Sequence, residues 1–228
     1  MVNLIKYFIL LILVVIIGVH MSFYGGILFY RSFYPHKTVF MQARLNQAPN
    51  GTRLNYSPIG YDKISVRLKK ALIASEDANF AEHSGFDWNG IQAAIKKNNR
   101  TGQIKAGGST ISQQLAKNLF LTPDRNFLRK GEEAVITAML EFNVDKERIF
   151  DLYINVIEWG EGLFGIEAAS QYYYKKSANQ LSANEAARLA SMVNRPVFNQ
   201  KNPANRRLKT KTNTILRRMR AAKLPDED

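Results

Sequence analysis

The sequence contains no cysteine and only three histidines among its 228 residues. Without cysteine the chain has no disulfide bonds, no thiolate zinc site and no thiol nucleophile. The histidines are scattered at positions 20, 36 and 83, so a metal site built on histidine is not expected. Any chemistry must therefore come from carboxylates, amides, hydroxyls and cationic side chains.

Acidic residues are few compared with basic ones. Asp and Glu number 19 and Lys and Arg number 32, which gives a net charge of +13. This imbalance indicates an anionic partner, which could be nucleic acid, phospholipid head groups or a phosphorylated substrate. No recognised nucleic-acid-binding motif accompanies the charge. A hydrophobic share of 46% is ordinary for a globular domain and excludes a disordered chain.

One long stretch near the N-terminus lacks charge altogether. It runs from Tyr7 to Val19, and its apolar character continues to Tyr30. About two dozen such residues are enough for a tilted helix to cross a hydrocarbon core of about 30 Å. No A-x-A-like cleavage site follows, so residues 1–36 are predicted to form an uncleaved membrane anchor with a short flank. The few flanking basic residues do not determine its orientation.

The rest of the chain is predicted to be a proline- and glycine-punctuated connector, 37–64, followed by one mainly α domain, 65–228. The connector is expected to hold one or two short extended pieces. The helix that Asp87 caps is expected to bury Ile91, Ala94 and Ile95. Helices are predicted in eight stretches, namely 65–76, 87 onward, 109 onward, 126–142, 146–157, 161–176, 182–194 and 205–223.

The stretch "SEDANFAEHSGFD", residues 75–87, places Glu76 and Asp77 side by side and His83 soon after. One interpretation is that polar residues simply decorate the exit of a helix. The other is that Glu76 faces a cleft and moves a proton as a general base. Spacing alone favours the first interpretation.

A second stretch, "AGGSTISQQLAKN" at 106–118, places a Gly107-Gly108 loop before a helix. Thr110 and Gln113 fit a capping box. Thr110, Gln114 and Lys117 fall on one face, and a glycine-preceded helix N-terminus suits an anion. A separate apolar stripe consists of Ile111, Leu115 and Leu119. Taken alone, this pattern favours an ordinary amphipathic helix that follows a glycine loop.

A third stretch, "NFLRKGEEAVITAMLEF" at 126–142, holds Arg129 and Glu133 at i, i+4 spacing. Alone this pair is typical of a surface ion pair that contributes little. The preceding segment, 119–127, fits a lid or membrane-dipping segment nearly as well as ordinary core.

In order along the chain, these three stretches and "RIFDLYINVIEWGEGLFGIEAASQYYY" closely resemble the peptidoglycan glycosyltransferases, glycosyltransferase family 51. The short anchor and "NVIEWGEGLFGIEAA" resemble its monofunctional biosynthetic transglycosylase branch. The resemblance covers about Tyr61 to Pro203. It implies a mainly α, lysozyme-like domain behind an N-terminal transmembrane helix, in the bacterial inner membrane with the catalytic domain on the periplasmic side.

The resemblance also implies roles for individual residues. Glu76 would be the general base, and Glu133 would stabilise charge or organise the phosphate site through Arg129 or a metal. Phe80 is expected mainly to pack, and His83 to be a structural hydrogen-bonder rather than a proton carrier. The residues expected to bind substrate are Asp77, Phe80, His83, Gly108, Ser109, Thr110, Gln114, Lys117 and Arg129.

The reaction implied by the resemblance is polymerisation of lipid II with inversion at the donor sugar. Undecaprenyl pyrophosphate leaves, and a β-1,4 bond replaces the α linkage. No cofactor is required, although pyrophosphate admits Mg²⁺ or Mn²⁺. The implied partners are lipid II, the nascent glycan strand and the membrane. Cell-wall synthesis or division proteins are possible further partners, and nucleic acid is not expected as one.

Two rival functions compete with this one. A lysozyme-like or lytic enzyme would cleave peptidoglycan with a carboxylate in a cleft, but it gives Lys117 and Arg129 no role. A membrane-tethered basic protein that binds anionic polymers without catalysis explains the charge and the anchor alone.

Overall fold

The computed structural model describes residues 2–102, 108–124 and 126–225. The described chain is mainly helical, as predicted. The helices are α1 Val2–Tyr30, α2 Val39–Gln47, α3 Val66–Glu76, α4 Trp88–Thr101, α5 Ile111–Phe120, α6 Phe127–Asn143, α7 Lys146–Val156, α8 Ile166–Tyr174, α9 Ala183–Met192, α10 Pro196–Lys201 and α11 Arg206–Arg218. Short 3₁₀ turns cover Tyr61–Lys63, Phe80–Glu82, Ala178–Gln180 and Met219–Ala221.

A small three-stranded sheet lies beside the helices. Its strands are β1 Asn55–Tyr56, β2 Glu158–Gly160 and β3 Leu163–Phe164, in the order β1-β3-β2. β3 pairs parallel to β1 and antiparallel to β2. Gly162 turns the chain between β2 and β3 at φ +68°, where a Cβ would lie 2.6 Å from the Arg53 carbonyl oxygen, so the turn requires glycine. The prediction of helix throughout 161–176 was thus wrong for β3 and right for α8.

The core forms where α5 packs against α6 and α7, and where α3 packs against α9 and α11. The predicted stripe of Ile111, Leu115 and Leu119 is buried, which confirms the amphipathic pattern of α5. The capping box predicted at Thr110 is present on α5, and a second capping box is present at Ser182 on α9. These caps fix where α5 and α9 begin, and both helices border the site described below.

Two expectations about local structure need correction. Ile95 was expected in the core but is 53% exposed, because α4 lies on the surface; Ala94 is buried as expected, and Ile91 is only partly buried. The connector 37–64 holds a short strand, as expected, but also α2, which the sequence pattern did not predict. α2 packs against α5 and so contributes to the walls of the site.

The C-terminal part of α1 packs on the domain. α1 is long and apolar enough to cross a membrane, with a mean hydropathy of 2.6 over its most apolar window. Ile27 is fully buried, and the Tyr24 hydroxyl donates to Asn143 Oδ1 at 3.2 Å. The rings of Phe23 and Tyr30 lie 5.6 and 5.8 Å from that of Phe120. The apolar helix is therefore joined to the domain by side-chain packing as well as by the chain itself.

Arg148 on α7 also binds the C-terminal end of α1 to the domain. Its guanidinium donates to the carbonyls of Tyr30 and Phe33 at 2.9 to 3.1 Å, and to Asp151 Oδ2 at 2.5 Å. The Tyr34 hydroxyl donates to the same Asp151 oxygen at 2.7 Å. Carbonyls at and just beyond the end of α1, which have no partner further along the helix, are thereby satisfied by the domain.

Candidate active site

Glu76 is the last residue of α3, and its side chain is only 5% exposed. Its Oε1 accepts from Ser75 Oγ at 2.6 Å and from Lys211 Nζ at 3.3 Å. Its Oε2 accepts from Gln114 Nε2 at 3.4 Å, and from the Asn194 amide at 3.2 Å in the orientation that satisfies both neighbours of Asn194. Residues from four separate parts of the chain thus converge on one carboxylate.

The orientation of Gln114 is fixed by Tyr153 on α7. The Tyr153 hydroxyl donates to Gln114 Oε1 at 3.1 Å. Burial raises the pKa of Tyr153 well above its ordinary value, and the nearby charges of Glu76 and Asp77 add to that effect. Because an ionised carboxylate can only accept, the amide nitrogen of Gln114 faces Glu76 and its oxygen accepts from Tyr153.

Asp77 joins the end of α3 to the start of α5. Its carboxylate accepts from His83 Nε2 at 3.0 Å and from the backbone N–H of Ile111 at 2.9 Å. Phe80 is fully buried, with its ring 5.5 Å from that of Phe150. These contacts hold the two helices that carry Glu76 and Gln114 together, which supports the structural role expected for Phe80 and His83.

In the loop before α5, the hydroxyl of Thr110 does not face a cavity as a substrate-binding group would. Thr110 is 2% exposed, and its hydroxyl caps α5 while donating to the Gly85 carbonyl at 2.7 Å. Ser109 is exposed, with its Oγ 3.4 Å from Lys130 Nζ. A Cβ on Gly108 would lie 3.1 to 3.2 Å from Ile91, so this glycine permits close packing on α4. Gly107 lies outside the described residues.

A cavity of about 340 Å³, here called the lysine pocket, opens beside Gln114. Its walls include Phe40, Arg44, Gln114, Lys117, Arg129 and Asn194. Lys117 is largely buried, and burial lowers its pKa below the ordinary value while Glu133 opposes that effect. Within the described parts of the chain no carboxylate forms an ion pair with Lys117; its ammonium lies 5.3 Å from the centre of the Phe40 ring. The pocket therefore presents a desolvated cation that an anionic ligand would stabilise.

Arg129 and Glu133 form a buried pair rather than the surface pair that their spacing alone suggested. Arg129 donates to Glu133 Oε2 at 2.6 Å, and Lys130 contacts Glu133 Oε1. The Glu133 side chain is 4% exposed. Arg129 Nε is buried, and among the described residues it has no hydrogen-bond partner. A donor left open in this way beside Lys117 is suited to an anion.

A second ion pair lines the lysine pocket and was not predicted from the sequence. Arg44 of α2 donates to both carboxylate oxygens of Glu158 at 3.0 and 3.1 Å. Burial raises the pKa of Glu158, and the guanidinium of Arg44 opposes that shift. The pair closes the wall of the pocket that lies next to α2.

A larger cavity of about 830 Å³, here called the outer cleft, is lined by Asn194 and Lys211, two of the residues that contact Glu76. Its cationic and amide walls include Asn194, Arg195, Asn199, Arg206, Arg207 and Lys211. Glu76 itself is in neither lining, but its hydrogen-bond partners are: Gln114 lines the lysine pocket, Lys211 lines the outer cleft and Asn194 lines both.

The residues around Glu76 were only partly predicted. Glu76, Gln114, Lys117, Arg129 and Glu133 were identified as candidates, and the structure brings them to this region. Sequence reasoning missed Tyr153, Asn194 and Lys211, and no spacing signal marks them. Lys211 lies 135 positions from Glu76 along the chain, in a helix that is rich in basic residues.

The described residues contain no group of three or more His, Cys, Asp and Glu side chains that could hold a metal ion. Both oxygens of Glu133 already accept from cations. A divalent cation in the lysine pocket would therefore need most of its oxygen ligands from a bound pyrophosphate.

Comparison with known proteins places this geometry in context. The family model described as Transglycosylase matches residues 41–220. A biosynthetic peptidoglycan transglycosylase of Neisseria gonorrhoeae is 56% identical over 208 residues, which is 90% of this chain and 89% of the relative. One of Neisseria meningitidis serogroup A is 52% identical across 100% of this chain and 99% of its own length. Another, of Janthinobacterium sp. (strain Marseille), is 53% identical over 84% of each chain. The predicted fold class, a mainly α lysozyme-like domain behind an apolar N-terminal helix, is thereby confirmed.

Proposed function

The chain belongs to the transglycosylase family, and from that premise we propose that it polymerises lipid II into β-1,4-linked peptidoglycan glycan strands. The observation that carries this proposal is that residues hydrogen-bonded to Glu76 line two separate cationic cavities, the lysine pocket and the outer cleft. A polymerase must bring two pyrophosphate-bearing molecules to one base, and each molecule needs its own cationic site. A hydrolase would need only water on one side of the carboxylate.

The lysine pocket is proposed as the donor side. The growing glycan would lie with its anomeric pyrophosphate against Lys117 and Arg129. Desolvated cations stabilise the charge that develops on the leaving oxygen, and Glu133 holds the guanidinium of Arg129 in place. Arg129 keeps one buried N–H for the substrate. Gln114, fixed by Tyr153, would position the donor sugar near Glu76.

The outer cleft is proposed as the acceptor side. The 4-hydroxyl of the acceptor GlcNAc would give its proton to Glu76 while its oxygen bonds to the donor anomeric carbon. The bond from that carbon to the pyrophosphate oxygen breaks, and its electron pair leaves with undecaprenyl pyrophosphate. Attack from the face opposite the leaving group converts the α linkage into a β linkage, in the manner of inverting glycosidases with a sugar hydroxyl in place of water.

The hydrogen bonds of Glu76 suggest how the acceptor enters. A carboxylate has about four lone-pair directions, and four protein donors already face this one. An acceptor hydroxyl must therefore replace one of them. The contacts from Gln114 at 3.4 Å and Lys211 at 3.3 Å are the longest, so either can yield at least cost.

The membrane supplies the substrate and the location. α1 would cross the bacterial inner membrane once and keep the catalytic domain on the periplasmic side, where the head group of lipid II is exposed. The net charge of +13 suits anionic head groups and pyrophosphates. Mg²⁺ or Mn²⁺ could accompany the pyrophosphate, held mainly by its oxygens.

Replacement of Glu76 by Gln tests the proposal. Gln keeps the size of the side chain but cannot take a proton, so we expect polymerisation of labelled lipid II to fall by about 10²-fold or more. Glu82→Gln makes the same chemical change on an exposed side chain and should leave the rate unchanged. Polymerisation by Glu76→Gln at the wild-type rate would exclude Glu76 as the base. Shortening of preformed glycan without synthesis would instead favour the lytic alternative.

A further inference from the structure

An apolar groove leads away from Arg129 toward the membrane helix. It has a volume of about 480 Å³, and its walls include Phe23, Phe120, Leu121, Phe127, Leu128 and Arg129. It is here called the Phe127 groove. Phe23 belongs to α1, whereas Phe127 and Leu128 form the first turn of α6. Two helices thus contribute apolar side chains to one groove, whose lining also includes the polar residues Thr122, Asn126, Arg129 and Glu132.

Two large apolar residues on the rim of the groove are almost fully exposed. Phe127 is 97% exposed and Leu128 is 86% exposed, and they are adjacent on α6. Two neighbouring large apolar side chains that contact so little protein mark a surface for an apolar partner. Phe23 and Phe120, on the inner wall, are partly buried against the core.

The groove shares one lining residue, Arg129, with the lysine pocket. A molecule could therefore contact the Arg129 guanidinium with an anionic group and extend apolar atoms along Phe127 and Leu128. At the far end Phe23 lies on α1, whose preceding residues are apolar and exposed. An apolar chain following this groove would pass from the pyrophosphate site to the bilayer beside apolar side chains.

A second apolar groove is a weaker candidate for such a chain. It has a volume of about 430 Å³ between α1 and α6, and it is lined by Ile16, Ile17, His20, Met21, Tyr24 and Met139. It shares no lining residue with the lysine pocket. A chain attached to a pyrophosphate at Arg129 therefore reaches the Phe127 groove first.

We propose that the Phe127 groove binds the first isoprene units of the polyprenyl chain that the donor carries. This inference rests on the proposed function, because the pyrophosphate must lie against Lys117 and Arg129. The groove would contribute to affinity for the donor and for the departing lipid pyrophosphate, and it would hold the leaving group on the membrane side of the site.

The double variant Phe127→Ser/Leu128→Ser tests the groove in the full-length chain in detergent micelles. Two competitors of lipid II polymerisation are compared, undecaprenyl pyrophosphate and inorganic pyrophosphate. We expect inhibition by undecaprenyl pyrophosphate to weaken by about tenfold or more, since two large apolar contacts are lost. Inhibition by inorganic pyrophosphate, which has no chain, should stay at the wild-type value.

Phe142→Ser is the matched control. Phe142 is 87% exposed on the same helix but does not line the groove. If it weakens undecaprenyl pyrophosphate as much as the double variant does, the effect is general contact with the micelle and the proposal fails. It also fails if the double variant weakens both competitors equally or neither of them. Failure of the wild type to polymerise lipid II would instead overturn the proposed function.

Photo-crosslinking gives a second readout that does not depend on substitutions. An undecaprenyl pyrophosphate analogue with a diazirine in its first isoprene units is bound to the wild-type chain and activated by light. Mass spectrometry should find label on the peptides that contain Phe127, Leu128 and Phe23. Label confined to Ile16, Ile17 and Met139, or spread evenly along α1, would contradict the proposal.

Discussion

Lys117 is a cation that the fold desolvates. Its pKa is lowered mainly by burial, and Glu133 only partly offsets that effect. A bound pyrophosphate would favour the charged ammonium, so the free enzyme must be protonated at Lys117 to bind the donor well. The lowered pKa brings the loss of that charge closer to neutral pH than for an ordinary lysine.

The rate should therefore depend on pH through Lys117. We expect kcat/KM for lipid II to fall as pH rises through the lowered pKa of the free enzyme, because the deprotonated amine no longer attracts the pyrophosphate. Lys117→Arg should move that decline to higher pH, since a guanidinium stays charged. Steady-state rates across the neutral to alkaline range check this.

Lys130→Arg is the control for the pH experiment. Lys130 contacts Glu133 but is 45% exposed, so the pH of the decline should not move in this variant. An unchanged decline in Lys117→Arg would show that a different group titrates.

The residues around Glu76 show how far sequence reasoning reaches at this scale. Gln114 and Lys117 could be predicted because helical spacing places them together on α5. Asn194 and Lys211 could not, because each is a single polar residue brought to Glu76 only by the packing of α9 and α11 on α3. The hydroxyl of Thr110 was predicted both to cap and to face substrate, and its buried bonds leave it to the cap.

At the scale of helices and strands, the spacing of apolar residues and the capping residues predicted the long helices but not α2. The predicted helices carry clear caps or apolar stripes, as α5 and α9 do. α2 has nine residues, of which only Phe40 and Met41 are buried, so its sequence gives little amphipathic signal. Short helices are marginal alone, and α2 is stabilised by packing on α5. Its Arg44 therefore escaped prediction as well.

The contact between α1 and α5 depends on a glycine. A Cβ on Gly26 would lie 2.8 Å from the ring of Phe120, whereas a Cβ on Gly25 meets nothing within 4 Å. Both residues lie in the same turn of α1, so Ala gives both the same gain in helix propensity. Gly26→Ala and Gly25→Ala thus differ mainly in the contact with Phe120.

We expect Gly26→Ala to be less stable than Gly25→Ala by about 1 kcal/mol, because the ring must shift within its contacts to Phe23 and Tyr30. Denaturant unfolding of both variants in the same detergent measures the difference. Hydrogen exchange in 117–121 should increase in Gly26→Ala only. Equal stabilities would show that Phe120 moves aside freely and that the helix contact is loose.

Across the whole molecule, the apolar helix α1 packs with the catalytic domain as one folded unit. Ile27 is buried, Tyr34 bonds to Asp151, and Arg148 binds the carbonyls at the end of α1. The composition predicted an anchor but not this attachment, since a hydrophobic run alone does not indicate which of its residues face protein. A cleaved signal segment would have no reason to supply core residues, so these contacts support a retained anchor.

Two truncations of different length test the attachment. Removal of 1–18 takes away exposed residues of α1 and keeps those that pack from Phe23 to Tyr34. Removal of 1–37 also strips Ile27 from the core and the Tyr34 hydroxyl from Asp151. Burial of one large aliphatic side chain contributes about 1.5 to 3 kcal/mol and each hydrogen bond about 1 kcal/mol. The free energy of unfolding of the longer truncation should therefore be lower than that of the full chain by roughly 3 kcal/mol or more. The free energy of unfolding of the shorter truncation should match that of the full chain. Denaturant unfolding in a common detergent compares all three proteins, and equal stability of the two truncations would mean that α1 is only a tether.

The longer truncation also removes Phe23, which lines the Phe127 groove. That protein should therefore lose its preference for undecaprenyl pyrophosphate over inorganic pyrophosphate, and the shorter truncation should keep it.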